Sequence, residues 1–287
     1  MMKYIRIFVA CLLLATAIHA NAQTDTKPLT IGQSTVLFSK ILNENRNINI
    51  YLPEGYNAAD TTTYPVIYIL DGGMEEDFFH IAGIVRFNTQ PWVARFPKSI
   101  VVGIENVNRR RDFTFEVPNL DFLEKEGFQK SSFPQYGKSA AYMDFLEKEL
   151  QPFVKQNFHA RAYNTVIGES LAGLLSTEIL LKRPYLFNDY IIISPSLWWG
   201  ERKLLADAAN LMQKNLKKPV RVYLGVPNKD EDLRMYNVAV SLHEIAAKQK
   251  NISIIFDYMP EELHSTAIHQ GVYNGFKKLF PKTAFSK

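Results

Sequence analysis

The sequence predicts an α/β fold, a mostly parallel central sheet with helices on both faces. Two observations carry this. Short runs of β-branched and aromatic residues alternate with longer stretches of helical periodicity, and such alternation gives parallel strands joined by right-handed crossovers. Several of the runs are also almost free of polar residues, as strands are when both faces are covered. A third observation sets the size. The chain has 287 residues, 47% of them apolar, which suits one large core and excludes a disordered chain.

Ahead of the fold, Lys3 and Arg6 make a short basic start. Residues 7–18 are almost wholly apolar, and Ala20-Asn21-Ala22 has the small-x-small pattern of a cleavage site. This is the layout of a secretory signal peptide over residues 1–22, leaving 23–287 as the folded domain. The apolar run is short of the roughly 20 residues a spanning helix needs. A secreted or periplasmic protein with no stable membrane insertion after cleavage is therefore expected. The single cysteine, Cys11, would leave with the leader. The mature chain would then have no thiol nucleophile, disulfide or cysteine-based zinc site. A formal charge of +4 is too mild to suggest a nucleic-acid partner.

The elements follow in order. Residues 47–52 alternate polar and apolar, as a half-buried strand does. A short turn near Asn43 to Asn45 precedes them, so the sheet should begin antiparallel and become parallel. Residues 65–70 and 100–104 are continuous apolar strands. Residues 140–158 carry Tyr142, Phe145, Leu146, Leu150 and Phe153 on a shared helical face. A strand over 164–168 leads directly into a helix over 171–181, which ends before Pro184. Strands at 190–193, 220–226 and 252–258 then alternate with helices at 201–216, 233–248 and 266–280.

Active sites in such sheets form at the carboxyl ends of strands. After the strand ending near Ile167 comes Gly168-Glu169-Ser170-Leu171-Ala172-Gly173. A serine on a strand–turn–helix needs small neighbours, and Gly168 and Ala172 fill those places. The turn presents the Ser170 hydroxyl and aims the amides of the new helix at the same space. An ordinary serine N-cap is the plainer alternative.

A serine hydroxyl needs a base, most often a histidine held by a carboxylate. The order serine, acid, histidine points to His264, just past the strand at 252–258. His80 is a weaker candidate, and His243 and His269 lie within helices. The acid should follow the strand at 220–226, where Asp230 has the usual offset and Glu231 is nearly as well placed. Asp232 completes this acidic stretch. The oxyanion of an acyl transfer needs backbone donors. The Leu171 amide is one, and the loop Asp71-Gly72-Gly73-Met74 could supply the other.

These residues together resemble the esterase D-like, or enterochelin esterase-like, family of α/β-hydrolases, from about Arg46 to Phe280. The marks are Tyr64-Pro65-Val66-Ile67-Tyr68-Ile69-Leu70-Asp71-Gly72, Val102-Gly103-Ile104, Arg109-Arg110-Arg111-Asp112-Phe113-Thr114, Gly168 to Gly173, Ser194-Pro195-Ser196-Leu197-Trp198-Trp199 and Glu262-x-His264. The resemblance implies an α/β-hydrolase fold and carboxylic ester cleavage through Ser170, His264 and an acid. It implies the Gly73 and Leu171 amides as oxyanion donors. Two departures stand out, Ala172 where glycine is usual and Glu169 where histidine is frequent.

Arg109 and Arg111 could hold an anionic substrate, and Trp198 and Trp199 could wall an acyl or aromatic pocket. A small-molecule ester is the expected partner, with no metal or organic cofactor. Acyl transfer to an alcohol by the same residues, and a catalytically inactive binding protein, are the alternatives.

Overall fold

The computed structural model describes residues 26–281, so the expected leader over 1–22 lies outside the described residues. Residues 26–30 have no regular secondary structure. From Ile31 onward the chain forms one unit around an eight-stranded sheet with the order β1-β2-β4-β3-β5-β6-β7-β8. The strands are β1 (Gln33–Ser39), β2 (Glu44–Tyr51), β3 (Tyr64–Ile69), β4 (Ile100–Ile104), β5 (Ala160–Glu169), β6 (Asp189–Ile193), β7 (Val220–Pro227) and β8 (Ile252–Met259). β2 pairs antiparallel with β1 and with β4. Every later pairing is parallel. The switch from antiparallel to parallel falls where the sequence places it.

Every residue of β3 is buried. Its side chains alternate between two cores. Val66 and Tyr68 belong to the larger one, whereas Ile67 and Ile69 face the other side. On that second side lie α1 (Phe78–Asn88) and the closing α7 (Ala267–Leu279). The larger core is covered by four further helices. Here α3 runs through Ser139–Phe145, a wider π turn at Leu146–Leu150, and Gln151–Asn157. Next come α4 (Leu171–Lys182), α5 (Ala208–Asn215) and α6 (Leu233–Ala246). In α4, every residue from Leu171 to Leu181 is buried, so its position and direction are tightly fixed between sheet and neighbours.

Three features differ from the expectation. The helix foreseen over 201–216 is divided into a single turn, Lys203–Ala206, and α5, with Asp207 between them. It also starts late, because Glu201 and Arg202 have left-handed backbones, with φ of 56° and 63°. α1 was not foreseen, although Phe78, Ile81, Ala82 and Val85 have helical spacing. The sequence assigns no element to the basic stretch at 109–111. It forms a short helix, α2 (Arg109–Phe113), capped by Asn108, whose Oδ1 accepts from the Arg111 amide at 3.0 Å.

Candidate active site

Ser170 sits between β5 and α4 with φ 58° and ψ −116°. A non-glycine residue enters this region only where its surroundings enforce it, and here the surroundings do. The Ser170 amide donates to the Ile193 carbonyl at 3.0 Å, and its carbonyl accepts from Leu174 at 2.9 Å and Ser196 at 3.0 Å. Gly168 makes the turn possible. A Cβ at that position would lie 2.4 Å from the Ala172 carbonyl oxygen, so strand and helix close on each other only without a side chain there. Ala172 itself is fully buried, and its methyl group fits.

The Ser170 hydroxyl lies 3.3 Å from Ser196 Oγ. His264 occupies the loop between β8 and α7, and its Nδ1 is 2.9 Å from Ser194 Oγ. No hydrogen bond joins His264 to Ser170 among the described residues. Ser194 and Ser196 follow β6 directly. Sequence reasoning gave neither a role, yet the rule that selected Ser170, inspection of each strand's carboxyl end, covers them too. Burial pushes the His264 imidazole below its ordinary value; Arg109 adds to this, and Glu231 and Asp232 oppose it.

The acidic stretch now divides. Glu231 Oε2 accepts from the His264 amide at 2.5 Å. Asp230 is not brought there. It is exposed, and its amide turns back to Asn228 Oδ1 at 2.8 Å. Asp232 caps α6, accepting from the Arg234 and Met235 amides, and these bonds with the Arg234 guanidinium hold its pKa low against burial. The difference between Asp230 and Glu231 is a matter of how one turn closes, and residue offset alone does not settle it. A small pocket is lined by Ser194, Glu231, Asp232, Tyr236 and His264. Larger cavities of about 250 and 270 Å³ lie elsewhere. The first is lined by Pro65, Arg161 and Arg221, near the amino ends of their strands, so its size says nothing about the chemistry at Ser170.

The glycine loop after β3 comes close to β4. A Cβ on Gly72 would stand 2.3 Å from Gly103 Cα, so no side chain fits. Beside it, the Gly73 amide donates to Glu76 Oε2 at 2.6 Å, and Asn106 Nδ2 holds Glu76 Oε1 at 2.7 Å. Burial raises the Glu76 carboxyl. The Leu171 amide is the first of α4, a position without an intrahelical partner.

The two arginines, expected as candidates to hold an anionic substrate, are each paired within the chain. Arg109 grips Asp71 with Nε at 2.7 Å and Nη2 at 3.0 Å. Its Nη2 also donates to the Glu169 carbonyl at 3.0 Å. Arg111 binds Glu44 at 2.6 Å and Asp112 at 2.7 Å. The buried Arg46 joins this network through Asp112 at 2.5 Å and through Glu44. The pairs Arg109–Asp71, Arg111–Glu44 and Arg46–Asp112 are 38, 67 and 66 positions apart, so no local pattern reveals them.

The two tryptophans are packed among other aromatic rings. Trp199 is wholly buried, donates from Nε1 to the Phe115 carbonyl at 2.9 Å, and packs on Phe122 and Phe133. Trp198 is stacked under Phe128 at 4.9 Å. Both rings are therefore largely buried, as large aromatic side chains usually are. His80 stacks on His269 with ring centres 3.6 Å apart, and His269 Nε2 lies 3.0 Å from Asp77 Oδ1. His80 therefore joins α1 to α7.

Comparison with known proteins supplies the family. Residues 39–284 match the family model described as "Putative esterase". The ferri-bacillibactin esterase BesA of Bacillus subtilis is 27% identical over 227 residues, covering 75% of this chain and 78% of that protein. An IroE-like serine hydrolase from Shewanella oneidensis superposes with a TM-score of 0.79 at 30% identity, covering 87% of this chain and 80% of that one. The BES protein of Bacillus cereus shares the fold, with a TM-score of 0.73 at 24% identity over 90% of this chain and 98% of its own.

Proposed function

Because the chain belongs to this esterase family of α/β-hydrolases and is a carboxylic ester hydrolase, we propose that it is an exported serine enzyme that cleaves siderophore-type or aryl and acyl esters through Ser170, His264 and Glu231. The observation that carries the reading is the backbone at Ser170. A left-handed serine is held between the largely buried end of β5 and the buried start of α4, the turn that presents a nucleophilic hydroxyl.

In the proposed reaction His264 Nε2 takes the Ser170 proton as Oγ attacks the ester carbonyl. The Gly73 and Leu171 amides stabilise the resulting oxyanion. Collapse breaks the bond to the leaving oxygen, which takes the proton from His264. Water, deprotonated by His264, then attacks the acyl-enzyme; the acyl–Oγ bond breaks, Ser170 Oγ takes the proton back from His264, and the carboxylic acid leaves. Two adjustments accompany substrate entry. The carbonyl oxygen displaces Glu76 from the Gly73 amide, and Ser170 exchanges its contact with Ser196 for one with His264. Catalytic hydrogen bonds are often loose in the free enzyme and tighten when substrate binds. Turnover of p-nitrophenyl acetate or butyrate by purified protein tests the reading, and absence of any hydrolysis overturns it.

The pH dependence follows from His264. The base must be neutral, and its pKa lies below the ordinary 6.5. The acid limb of kcat/KM should therefore have its midpoint below 6.5, with activity falling as pH drops through that value. A midpoint above 6.5 would show that a different group limits the rate.

Export rests on the pattern of residues 1–22. Expressed with its own leader in a Gram-negative host, the protein should be recovered from the periplasm with Gln23 as its first residue. Intact-mass measurement reads this directly, and a full-length cytosolic product counts against it.

A further inference from the structure

We propose that Glu169 is a positioning residue of this site, one that acts as a neutral carboxylic acid beside the nucleophile. Three observations place it in that role. Glu169 ends β5 directly before Ser170, and its Oε1 is buried without a hydrogen-bond partner among the described residues. An ionised carboxylate with an empty buried oxygen is far more costly than a neutral one. The nearest cation also passes it by, since Arg109 gives its donors to the Asp71 carboxylate and to the Glu169 carbonyl.

The groups facing Glu169 add to this. Asp71 after β3 and Asp77 before α1 both oppose a further negative charge, and Arg109 on α2 alone favours one. Behind Asp77 stands the His80–His269 stack of α1 and α7, and Glu76 lies beyond Asp71. Burial first, and then Asp77 and Asp71, push the Glu169 carboxyl up to about 8. It is therefore protonated at neutral pH and ionises above it. Asp71 and Asp77 bracket the loop that carries Gly73. A new carboxylate there opposes the negative charge developing on the substrate oxygen.

The inference deepens the proposed esterase reading, and its test has one arm that does not need turnover. With p-nitrophenyl acetate, kcat/KM of the wild type should fall about tenfold from pH 7 to pH 9, as the protonated fraction of a group near 8 falls. In Glu169→Gln, which cannot ionise, the ratio of kcat/KM at pH 9 to that at pH 7 should be close to one. An unchanged alkaline fall in the variant overturns the proposal. The second arm is an infrared pH titration of catalytically silent Ser170→Ala. A protonated-carboxyl band should vanish near pH 8, and the same band should be missing from the Ser170→Ala/Glu169→Gln protein. Disappearance of that band by pH 5, or its survival in the double variant, also overturns the proposal. Protein with the band but without esterase activity would retain the neutral acid and refute the reaction instead.

Discussion

Ser170→Ala is expected to lower kcat for ester hydrolysis by about 10⁴-fold or more, the usual scale for removing a nucleophile that acts together with its base. The fold should survive. The change removes one oxygen whose partner is another serine hydroxyl, Ser196, and alanine can take the backbone that the Ile193, Leu174 and Ser196 bonds impose. Near-wild-type circular dichroism and melting, together with lost turnover and lost labelling by a fluorophosphonate, would therefore assign the chemistry to this hydroxyl. Retention of more than a tenth of the activity would remove Ser170 from the mechanism.

The largest stability effect is expected at Asp112. Its carboxylate is fully buried and faces an equally buried Arg46 at 2.5 Å and the Arg111 Nε at 2.7 Å. Two Arg46 nitrogens, Nε and Nη1, already have no hydrogen-bond partner among the described residues. Asp112→Ala would leave the Arg46 charge with Glu44 alone. Breaking a buried pair in this way usually costs about 3–5 kcal/mol, or roughly 6–20 °C in melting temperature for a domain of this size. Asp112→Asn should cost less, because the amide oxygen still accepts a hydrogen bond. Urea denaturation of the three proteins measures this, and a loss under about 1 kcal/mol for the alanine variant would show that the network is no more than a surface ion pair.

What the sequence made legible was largely local. β3 could be read because six successive residues are all buried, and no polar position interrupts the run. The turn at Ser170 could be read because its requirements lie within six residues. His264 was reached through chain order, which fixes the loop without fixing the ring's partners. Other features escaped for physical reasons. The helical stripe of α1 is blurred by Phe79 and Phe87, which are large, apolar and exposed. Arg109 and Arg111 look like free cations in the sequence because Asp71 and Glu44 lie 38 and 67 positions away. The ring neighbours of Trp198 and Trp199 could not be read, because nothing in a sequence says which aromatic covers another. Asp230 and Glu231 differ by one residue in a turn whose closure depends on Asn228.

The clasp between the β7 and β8 loops bears on redesign. Asn228 donates its amide to the Glu262 carbonyl at 2.8 Å and its Nδ2 to the Pro260 carbonyl at 2.9 Å, while Glu231 holds the His264 amide. Glu231 and His264 thus lie in one cassette, knit by bonds to main-chain atoms of the β8 loop and separate from the strand–helix turn that carries Ser170. Grafting either loop alone from a relative breaks the register of the other. Exchanging residues 227–232 and 259–266 as a pair preserves it, so the natural unit of transplantation at this site is the two loops together.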